Sequence, residues 1–570
     1  MSRVNHTAKH AFLLLSAIAF GFVSCSVSTP GEARFTRFSY SGHDARFDRQ
    51  IDTQHEFFNP ILAGFNSDPS ICRKGDDYFI VTSSFAFWPA IPIWHSRDLV
   101  HWEPLGSVID RVDALLLDSV KSNAGVYAAD ISYNPHNDTF YVINTCVGGI
   151  SNYVVKSRDP FAGEWSDPIV IPEAEYGIDP SFFYDEDGKT YLLHNDAPEG
   201  GRLWSSHQAL YLWEYDTERD CVVGERTMLL DGGIDFASQP EWLEGPRLYR
   251  HDGKYVLIAA EGGTYEYHSQ VALVSDNVRG PYVPCADNPI LTQRDLPEER
   301  PDKVTCAGHA DLIDTPDGRW FILFHGCRPY EGCHYNTGRE AFLLPVTWRE
   351  DGAPFVLAKG EPVPTVVAME GIDSNSNIAP QTGNFAWETD FAQPLDARWM
   401  MIRNPRSEWM HTGRHGLVLC DSGHSIFEEC NPAFVGVRQQ HGDVDVETEL
   451  DFTPASEGGF AGLAFFQNER YNLLFGKRMH EGRIELVAVR TEGESVVIAS
   501  LPLCGADAEA VVTLRAKIRG GSCDLAAAVD NKPFVTVASD VDVRNLSTHL
   551  ARGFNGAIIG LYAGAAEKAE

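Results

Sequence analysis

The stretch IDPSFFYDEDGKTYLLHN (178–195) combines two features that recur over the first two thirds of the chain. Asp179 opens one short apolar strand, and an acidic turn with glycine leads into a second strand that begins with an aromatic residue. Four further copies of the second strand are DDYFIVTSS (76–84), NDTFYVINT (137–145), DGKYVLIAA (252–260) and DGRWFILFHG (317–326). Units of this length hold about four strands, the content of a propeller blade. We therefore predict a five-bladed β-propeller over residues 55–365.

A polar residue lies ten to twelve positions before the leading aromatic residue of each copy. These residues are Asp68, Asp130, Asp179, Glu244 and His309. Because the inner strands of a propeller line its central channel, we predict that the five side chains converge there. A single Asp before Pro is usually a turn residue. Four carboxylates around one His repel one another, however, which indicates a catalytic or ion-binding site.

The chain changes character after the propeller. Residues 366–390 form a polar stretch that we interpret as a linker, and residues 391–570 return to strands with period-two apolar spacing, such as HGLVLC (415–420) and GFAGLAFFQ (459–467). This pattern predicts an antiparallel β-sandwich of the jelly-roll or concanavalin-like type. The predicted fold class is therefore all-β, with residues 26–54 as an N-terminal extension.

The first residues indicate export. Arg3 and Lys9 precede an apolar run, residues 12–23, that is too short to remain as a membrane span. The run ends at Phe22-Val23-Ser24-Cys25, which resembles a bacterial lipobox. We predict a signal peptide over residues 1–25, a lipid anchor at Cys25 and no transmembrane span. The expected location is the periplasm, outer membrane or cell surface, with simple secretion as the alternative.

The formal net charge of −34 limits the partners of the protein. A chain this acidic repels nucleic acid and anionic membrane surfaces, and it disfavours a polyanionic substrate. We therefore expect a neutral partner and no nucleic acid.

Several segments resemble glycoside hydrolase family 43, the family of β-xylosidases and α-L-arabinofuranosidases. They include NPILAGFNSDPSI (59–71), YGIDPSFFYDEDGKTY (176–191), EGPRLYRHDGKYVLIAAEGGT (244–264), GHADLIDTPDGRWFILFHGCRP (308–329) and GREAFLLPV (338–346). The resemblance implies an exo-acting, inverting hydrolase that releases terminal xylosyl or arabinofuranosyl units from hemicellulose oligosaccharides. The C-terminal half similarly resembles the concanavalin-like domain of family 43 xylosidases, which can lend a loop to the pocket rim.

The resemblance assigns Asp68 as general base, Glu244 as general acid, and Asp179 as the residue that orients the acid and tunes its pKa. These residue types suit inversion, in which an ionised carboxylate activates water and a protonated carboxyl group releases the leaving oxygen. A further negative charge beside Glu244 favours its protonated form.

The resemblance also supplies binding residues. It implies that aromatic side chains wall the terminal-sugar subsite, that Arg339 contacts sugar hydroxyls, and that His309 holds a water or a Ca²⁺ ion in the channel. No cofactor is required. Asp130 is expected to line the site without acting as a catalyst, although Tyr127 stands beside it where the family commonly has Trp. The aromatic candidates are Phe85, Phe87 and Trp88.

Two other functions remain open at this stage. A retaining fructosidase also has a five-bladed propeller with three acids, and Arg158-Asp159-Pro160 imitates its Arg-Asp-Pro motif, although outside the expected inner strand. A non-catalytic sugar-binding propeller is the other alternative. Binding alone needs no acid of raised pKa, so the presence of three carboxylates argues against it.

Overall fold

The computed structural model describes residues 31–174, 176–405, 408–530 and 532–567. The predicted signal peptide and Cys25 lie outside these ranges. Within them, no helix combines the length and apolar character that crossing a membrane requires.

Five antiparallel sheets, each built on four principal strands, form a propeller. Each inner strand contacts the inner strand of the next sheet, and the fifth contacts the first, which closes the ring. Blade one contains Ser70–Lys74, Asp77–Val81, Ala90–Ser96 and Glu103–Ile109, and blade two contains Asp130–Asn134, Thr139–Val147, Ser151–Ser157 and Ile169–Val170, with the additional short strand Gly125–Val126. Blade three contains Ile178–Tyr184, Thr190–Asp196, Ala209–Asp216 and Cys221–Asp231, and blade four contains Glu244–His251, Lys254–Glu261, Ser269–Ser275 and Val283–Pro284, with the additional short strand Leu291–Thr292. Blade five contains Thr305–Asp314, Trp320–Cys327, Glu340–Trp348 and Pro354–Phe355.

The second strand of each blade is apolar on both faces. In Lys254–Glu261, every residue after the first is buried. Neighbouring blades cover both faces of a blade, so both sets of alternating side chains meet apolar surface. This arrangement explains why the repeated stretches are nearly continuous apolar runs.

Most of the remaining strands form a two-layered β-sandwich around one apolar core. Most described residues outside the strands are turns and loops, and the α-helix Thr548–Ala551 lies before the final strand. One sheet contains, in spatial order, Met410–Gly413, Gly416–Cys420, Glu32–Gly42, Asp443–Asp451, Val512–Arg519, Ser522–Val529 and Val535–Asp542, and the short strand Phe385–Thr389 also pairs with Glu32–Gly42. The other sheet contains Ala433–Arg438, Ile558–Ala565, Gly459–Asn468, Tyr471–His480, Arg483–Glu492 and Glu494–Pro502.

The structure differs from the predicted domain boundaries in the N-terminal extension. Its strand Glu32–Gly42 is inserted into the sandwich, where it pairs with Asp443–Asp451 and with Gly416–Cys420. Ala33, Phe35, Phe38 and Tyr40 are buried in the sandwich core. The period-two pattern was present in the sequence, but a register shift between Phe35 and Arg37 interrupts it.

The predicted linker over 366–390 also contains strands. Val366–Ala368 pairs with Glu56–Phe58, and Phe385–Thr389 pairs with Glu32–Gly42. The segment is therefore fixed to both domains.

The two domains share an extensive interface. Phe87–Trp88 of the propeller pairs with Met401–Ile402 of the sandwich domain. The fully buried Arg403 donates to the carbonyl oxygen of Val120 at 2.7 Å and pairs with Glu469 at 2.8 Å. A buried charge of this kind is stable only with its partners in place, so the contact fixes how the domains dock.

Candidate active site

The strand register identifies which inner-strand positions are equivalent. Ser70, Asp130, Ser181, Arg247 and Asp311 lie directly opposite Val81, Ile143, Leu193, Ile258 and Leu323 of the second strands. Two residues earlier, and so one layer along the channel, the blades place Asp68, Ala128, Asp179, Gly245 and His309.

Four of these earlier positions share an unusual backbone. The φ angles of Asp68, Asp179, Gly245 and His309 are 50°, 52°, 58° and 50°. A positive φ is costly for residues other than glycine, and such strain occurs mainly at functional sites. In the fourth blade a glycine, Gly245, takes the equivalent position without this cost, and the acid is the preceding residue, Glu244.

The acids of blades one, three and four meet as predicted. Asp68, Asp179, Glu244, His309 and Arg339 line one cavity of about 330 Å³. Its size lies in the range of small-molecule sites. The sandwich domain closes one side of the cavity, because its residue Phe554 also lines it.

Asp68 is held as a carboxylate. Arg339 donates to Oδ1 at 2.7 Å and to Oδ2 at 3.3 Å, Ser83 Oγ donates to Oδ2 at 2.6 Å, and His325 Nδ1 lies 3.1 Å from Oδ1. Burial alone would raise the pKa of Asp68, but Arg339 and the hydrogen bond with His325 lower it well below its usual range. Asp68 can therefore accept a proton from water near neutral pH.

Glu244 has the opposite protonation preference. Burial, followed by the charges of Asp179 and Asp68, raises the pKa of Glu244 well above its usual range. Burial also raises the pKa of Asp179, whose Oδ2 accepts the backbone N–H of Gly245 at 3.1 Å. The lowered pKa of Asp68 favours a carboxylate and the raised pKa of Glu244 favours a protonated carboxyl group, which are the two forms that inverting hydrolysis needs.

Aromatic side chains from both domains wall the cavity. Phe85 stacks on Phe554 with ring centroids 5.7 Å apart, and Tyr127 meets Phe554 edge to face at 5.6 Å. Asn123 Oδ1 accepts the backbone N–H of Phe554 at 2.9 Å and so holds the sandwich loop against the propeller. Phe85 therefore lies in the cavity wall, and its contact with a sugar stays a prediction.

The structure corrects the roles of Phe87 and Trp88. Both are buried away from the cavity, at 3% and 2% exposure. Their backbones pair with Ile402 and Met401, and the ring of Phe87 contacts that of Phe466 edge to face. They form part of the domain interface and do not face a sugar.

The structure also corrects the predicted position of Asp130. This residue does not line the cavity but lies one layer deeper in the channel. It pairs with Arg247, and its Oδ1 and Oδ2 accept from Ser70 Oγ at 3.2 Å and the backbone N–H of Phe182 at 3.1 Å. Burial raises the pKa of Asp130 to about 6, although Arg247 opposes this shift. The residue of blade two that lines the cavity is Ala128.

His309 lines the cavity, with Nδ1 3.7 Å from Asp68 Oδ1. The described residues contain no group of three or more His, Cys, Asp or Glu side chains arranged to hold a metal ion. Calcium takes six to eight oxygen ligands, so this surrounding does not fit a directly ligated ion.

Sequence reasoning missed several residues of the site. Phe554, Trp242 and Tyr265 line the cavity, and His325 lies 3.1 Å from Asp68. His325 lies in the last strand repeat, DGRWFILFHG, where a histidine within an apolar strand was a signal that the sequence offered. Phe554 and Trp242 lie in loops without a repeat.

The Arg-Asp-Pro motif lies outside the channel. Asp159 follows the third strand of blade two and caps the short helix Pro160–Ala162, because its side chain accepts the N–H of Phe161 at 3.0 Å. It has the ordinary capping role of Asp.

Comparisons with known families match both domains. Residues 57–354 match the glycosyl hydrolases of family 43, and residues 388–570 match the β-xylosidase C-terminal concanavalin A-like domain. These ranges agree with the propeller and with the larger part of the sandwich.

Characterised relatives span nearly the whole chain. A xylosidase/arabinosidase of Butyrivibrio fibrisolvens is 33% identical over 89% of this chain and 95% of its own length. A non-reducing end α-L-arabinofuranosidase of Bacteroides ovatus is 32% identical over 90% and 92%.

Solved structures show the same architecture. A GH43_12 protein retrieved from the capybara gut metagenome has a TM-score of 0.86 and 36% identity, covering 94% of this chain and 100% of its own. A xylan β-1,4-xylosidase from Bacillus halodurans C-125 has a TM-score of 0.79 and 29% identity, covering 89% and 97%.

Proposed function

Because the chain belongs to glycoside hydrolase family 43, we propose that it is an exo-acting, inverting hydrolase that releases terminal β-D-xylosyl or α-L-arabinofuranosyl units from hemicellulose oligosaccharides. The single observation that carries the proposal is that Asp68 and Glu244 line one cavity, in which the pKa of Asp68 is lowered and that of Glu244 is raised. The names of the relatives support the choice of a pentose.

In the proposed mechanism Asp68 removes a proton from a water molecule, which attacks the anomeric carbon. Glu244 gives its proton to the glycosidic oxygen, so that the leaving sugar departs as an alcohol. Asp179 keeps Glu244 protonated by its charge. Its hydrogen bond with the N–H of Gly245 fixes the backbone beside the acid.

The exo action follows from the closed side of the cavity. Phe554 and Phe85 stack across one wall, and Arg339 lies over both rings, 5.4 and 5.9 Å from their centroids. The planar guanidinium group of Arg339 presents several hydrogen-bond donors in a fixed arrangement, which suits the hydroxyls of a terminal sugar. An internal chain residue would need an open path through this wall.

Side-by-side kinetics on p-nitrophenyl β-D-xylopyranoside and p-nitrophenyl α-L-arabinofuranoside test the pentose specificity. We expect hydrolysis of at least one of them. Failure on both, with activity on a hexoside, would refute the proposal.

Product analysis on linear xylo-oligosaccharides and on arabinose-branched oligosaccharides tests the exo action. Single pentoses should appear from the first time point. Early accumulation of mixed xylo-oligosaccharides with little monosaccharide would contradict a closed cavity.

We further propose that the protein is exported and anchored by a lipid on Cys25, because Phe22-Val23-Ser24-Cys25 follows an apolar segment typical of signal peptides. Labelling of expressing cells with a fatty-acid analogue should mark the wild type. It should not mark a Cys25→Ser variant. Equal labelling of the two proteins would contradict the anchor.

A further inference from the structure

The rim of the cavity carries one aromatic side chain that is unlike the others. Phe85, Tyr127 and Phe554 pack on one another, and Tyr265 donates its hydroxyl hydrogen to the carbonyl oxygen of Gly553 at 3.4 Å. Trp242 is 39% exposed while it lines the same cavity. Among the described residues, no ring contact joins Trp242 to another aromatic side chain. An indole surface is therefore free to meet a ligand.

The backbone of this segment is held in place on both sides of the ring. The carbonyl oxygen of Glu241 accepts the N–H groups of Gly262 and Gly263 at 2.7 and 3.1 Å, and the N–H of Trp242 donates to Ser206 at 3.3 Å. Leu243 is buried in the apolar core of the blade. Trp242 has a φ of 44°, a strained value for a bulky side chain. Such strain persists where the surroundings fix it, and it marks functional positions.

The position of Trp242 along the chain identifies what it meets. Trp242 precedes the proposed general acid, Glu244, by two residues, and both line the cavity. The acid protonates the bond between the terminal sugar and the leaving group, so it lies between their two subsites. The closed aromatic wall accounts for the terminal sugar, which leaves the exposed rim for the leaving group.

We propose that Trp242, with the exposed carboxylate of Glu241, forms the subsite for the leaving-group sugar and takes a neutral pyranose residue. This inference rests on the proposed function. The C–H face of a pyranose suits an aromatic surface, and a carboxylate accepts hydrogen bonds from ring hydroxyls. The negative charge of Glu241 disfavours a uronic acid at this position.

The test compares a substrate that has a leaving-group sugar with one that lacks it. The pair is xylobiose and β-D-xylosyl fluoride, or an arabinofuranosyl disaccharide and the matching fluoride if arabinofuranose is the accepted sugar. Aryl glycosides are unsuitable, because a nitrophenyl ring would itself stack on Trp242. The measured quantity is the ratio of kcat/KM for the disaccharide to kcat/KM for the fluoride.

We expect this ratio to fall about tenfold in Trp242→Ala and to recover in large part in Trp242→Phe. Tyr267→Ala is the matched control, since Tyr267 is 71% exposed on the adjacent turn and does not line the cavity. Its ratio should equal that of the wild type. A folding defect lowers both activities together and leaves the ratio unchanged.

An unchanged ratio in Trp242→Ala, with an active wild type, would overturn the subsite and leave the proposed function intact. A wild type that hydrolyses no pentoside would refute the proposed function, and the subsite with it.

Discussion

Arg339 donates hydrogen bonds to Asp68 from both terminal nitrogens, which lie 2.7 Å from Oδ1 and 3.3 Å from Oδ2. The same guanidinium group donates to Thr264 Oγ1 at 3.0 Å. Arg339 therefore both lines the sugar cavity and keeps the proposed base ionised.

Removal of this guanidinium group should change the pH dependence of activity. Arg339 lowers the pKa of Asp68, and only the ionised form of Asp68 acts as a base. In Arg339→Ala the pKa of Asp68 should rise, so the acidic limb of the kcat/KM profile should move to higher pH. Activity at the optimum should also fall by about 100-fold. An acidic limb that stays in place would contradict the role of Arg339 in setting the charge of Asp68.

Replacement of the proposed acid should separate substrates by their leaving groups. In Glu244→Gln we expect kcat on natural oligosaccharides to fall by about 1,000-fold, because protonation of the leaving oxygen is lost. A dinitrophenyl glycoside, whose leaving group needs little protonation, should lose much less. Asp68→Asn is the comparison variant and should lose activity on both. Equal losses for Glu244→Gln on the two substrates would refute its assignment as the acid.

Asp179 should control the alkaline limb. Its negative charge raises the pKa of Glu244, and activity is lost when Glu244 loses its proton at high pH. Asp179→Asn keeps an oxygen that can accept the N–H of Gly245 but removes the charge. The alkaline limb should therefore move to lower pH. Movement to higher pH would show that Asp179 does not favour the protonated acid.

The contribution of the sandwich domain can be tested through one side chain. Phe554→Ala removes the ring that stacks on Phe85 and opens the wall of the cavity. We expect KM for aryl pentosides to rise about tenfold, with a smaller change in kcat. The matched control is Phe534→Ala, since Phe534 is a partly exposed sandwich residue outside the cavity. Equal kinetics for the Phe554 variant and the wild type would show that the sandwich domain does not contribute to substrate binding.

The propeller was predictable because each blade carries its own local signal, an acidic turn followed by an apolar strand. The channel residues were harder to place. Counting back from the aromatic residue put Asp130 in the same layer as Asp68, but the turn between the first two strands differs in length between blades one and two. Lys74 pairs with Asp77 across the turn of blade one, whereas Asn134 pairs with Thr139 across the longer turn of blade two. The spacing in sequence alone does not reveal which residues pair across each turn.

Contacts between the two domains could not be predicted from the sequence. Phe554 enters the cavity because Asn123 holds its backbone, across a separation of 431 residues. Phe87 and Trp88 were expected to wall the sugar subsite because the resemblance to family 43 implies aromatic residues there, yet they pair with the sandwich domain. In both cases the outcome depends on how two folded domains dock, which local patterns do not encode.

The stereochemistry of the first product tests the central claim most directly. An ionised Asp68 that activates water and a protonated Glu244 that releases the leaving group together invert the anomeric centre. ¹H NMR of the reaction, recorded before mutarotation, should show the α anomer of xylose appearing first from a β-xyloside, or the β anomer of arabinose from an α-arabinofuranoside. First appearance of the sugar with the anomeric configuration of the substrate would show retention through a covalent intermediate and would contradict the account.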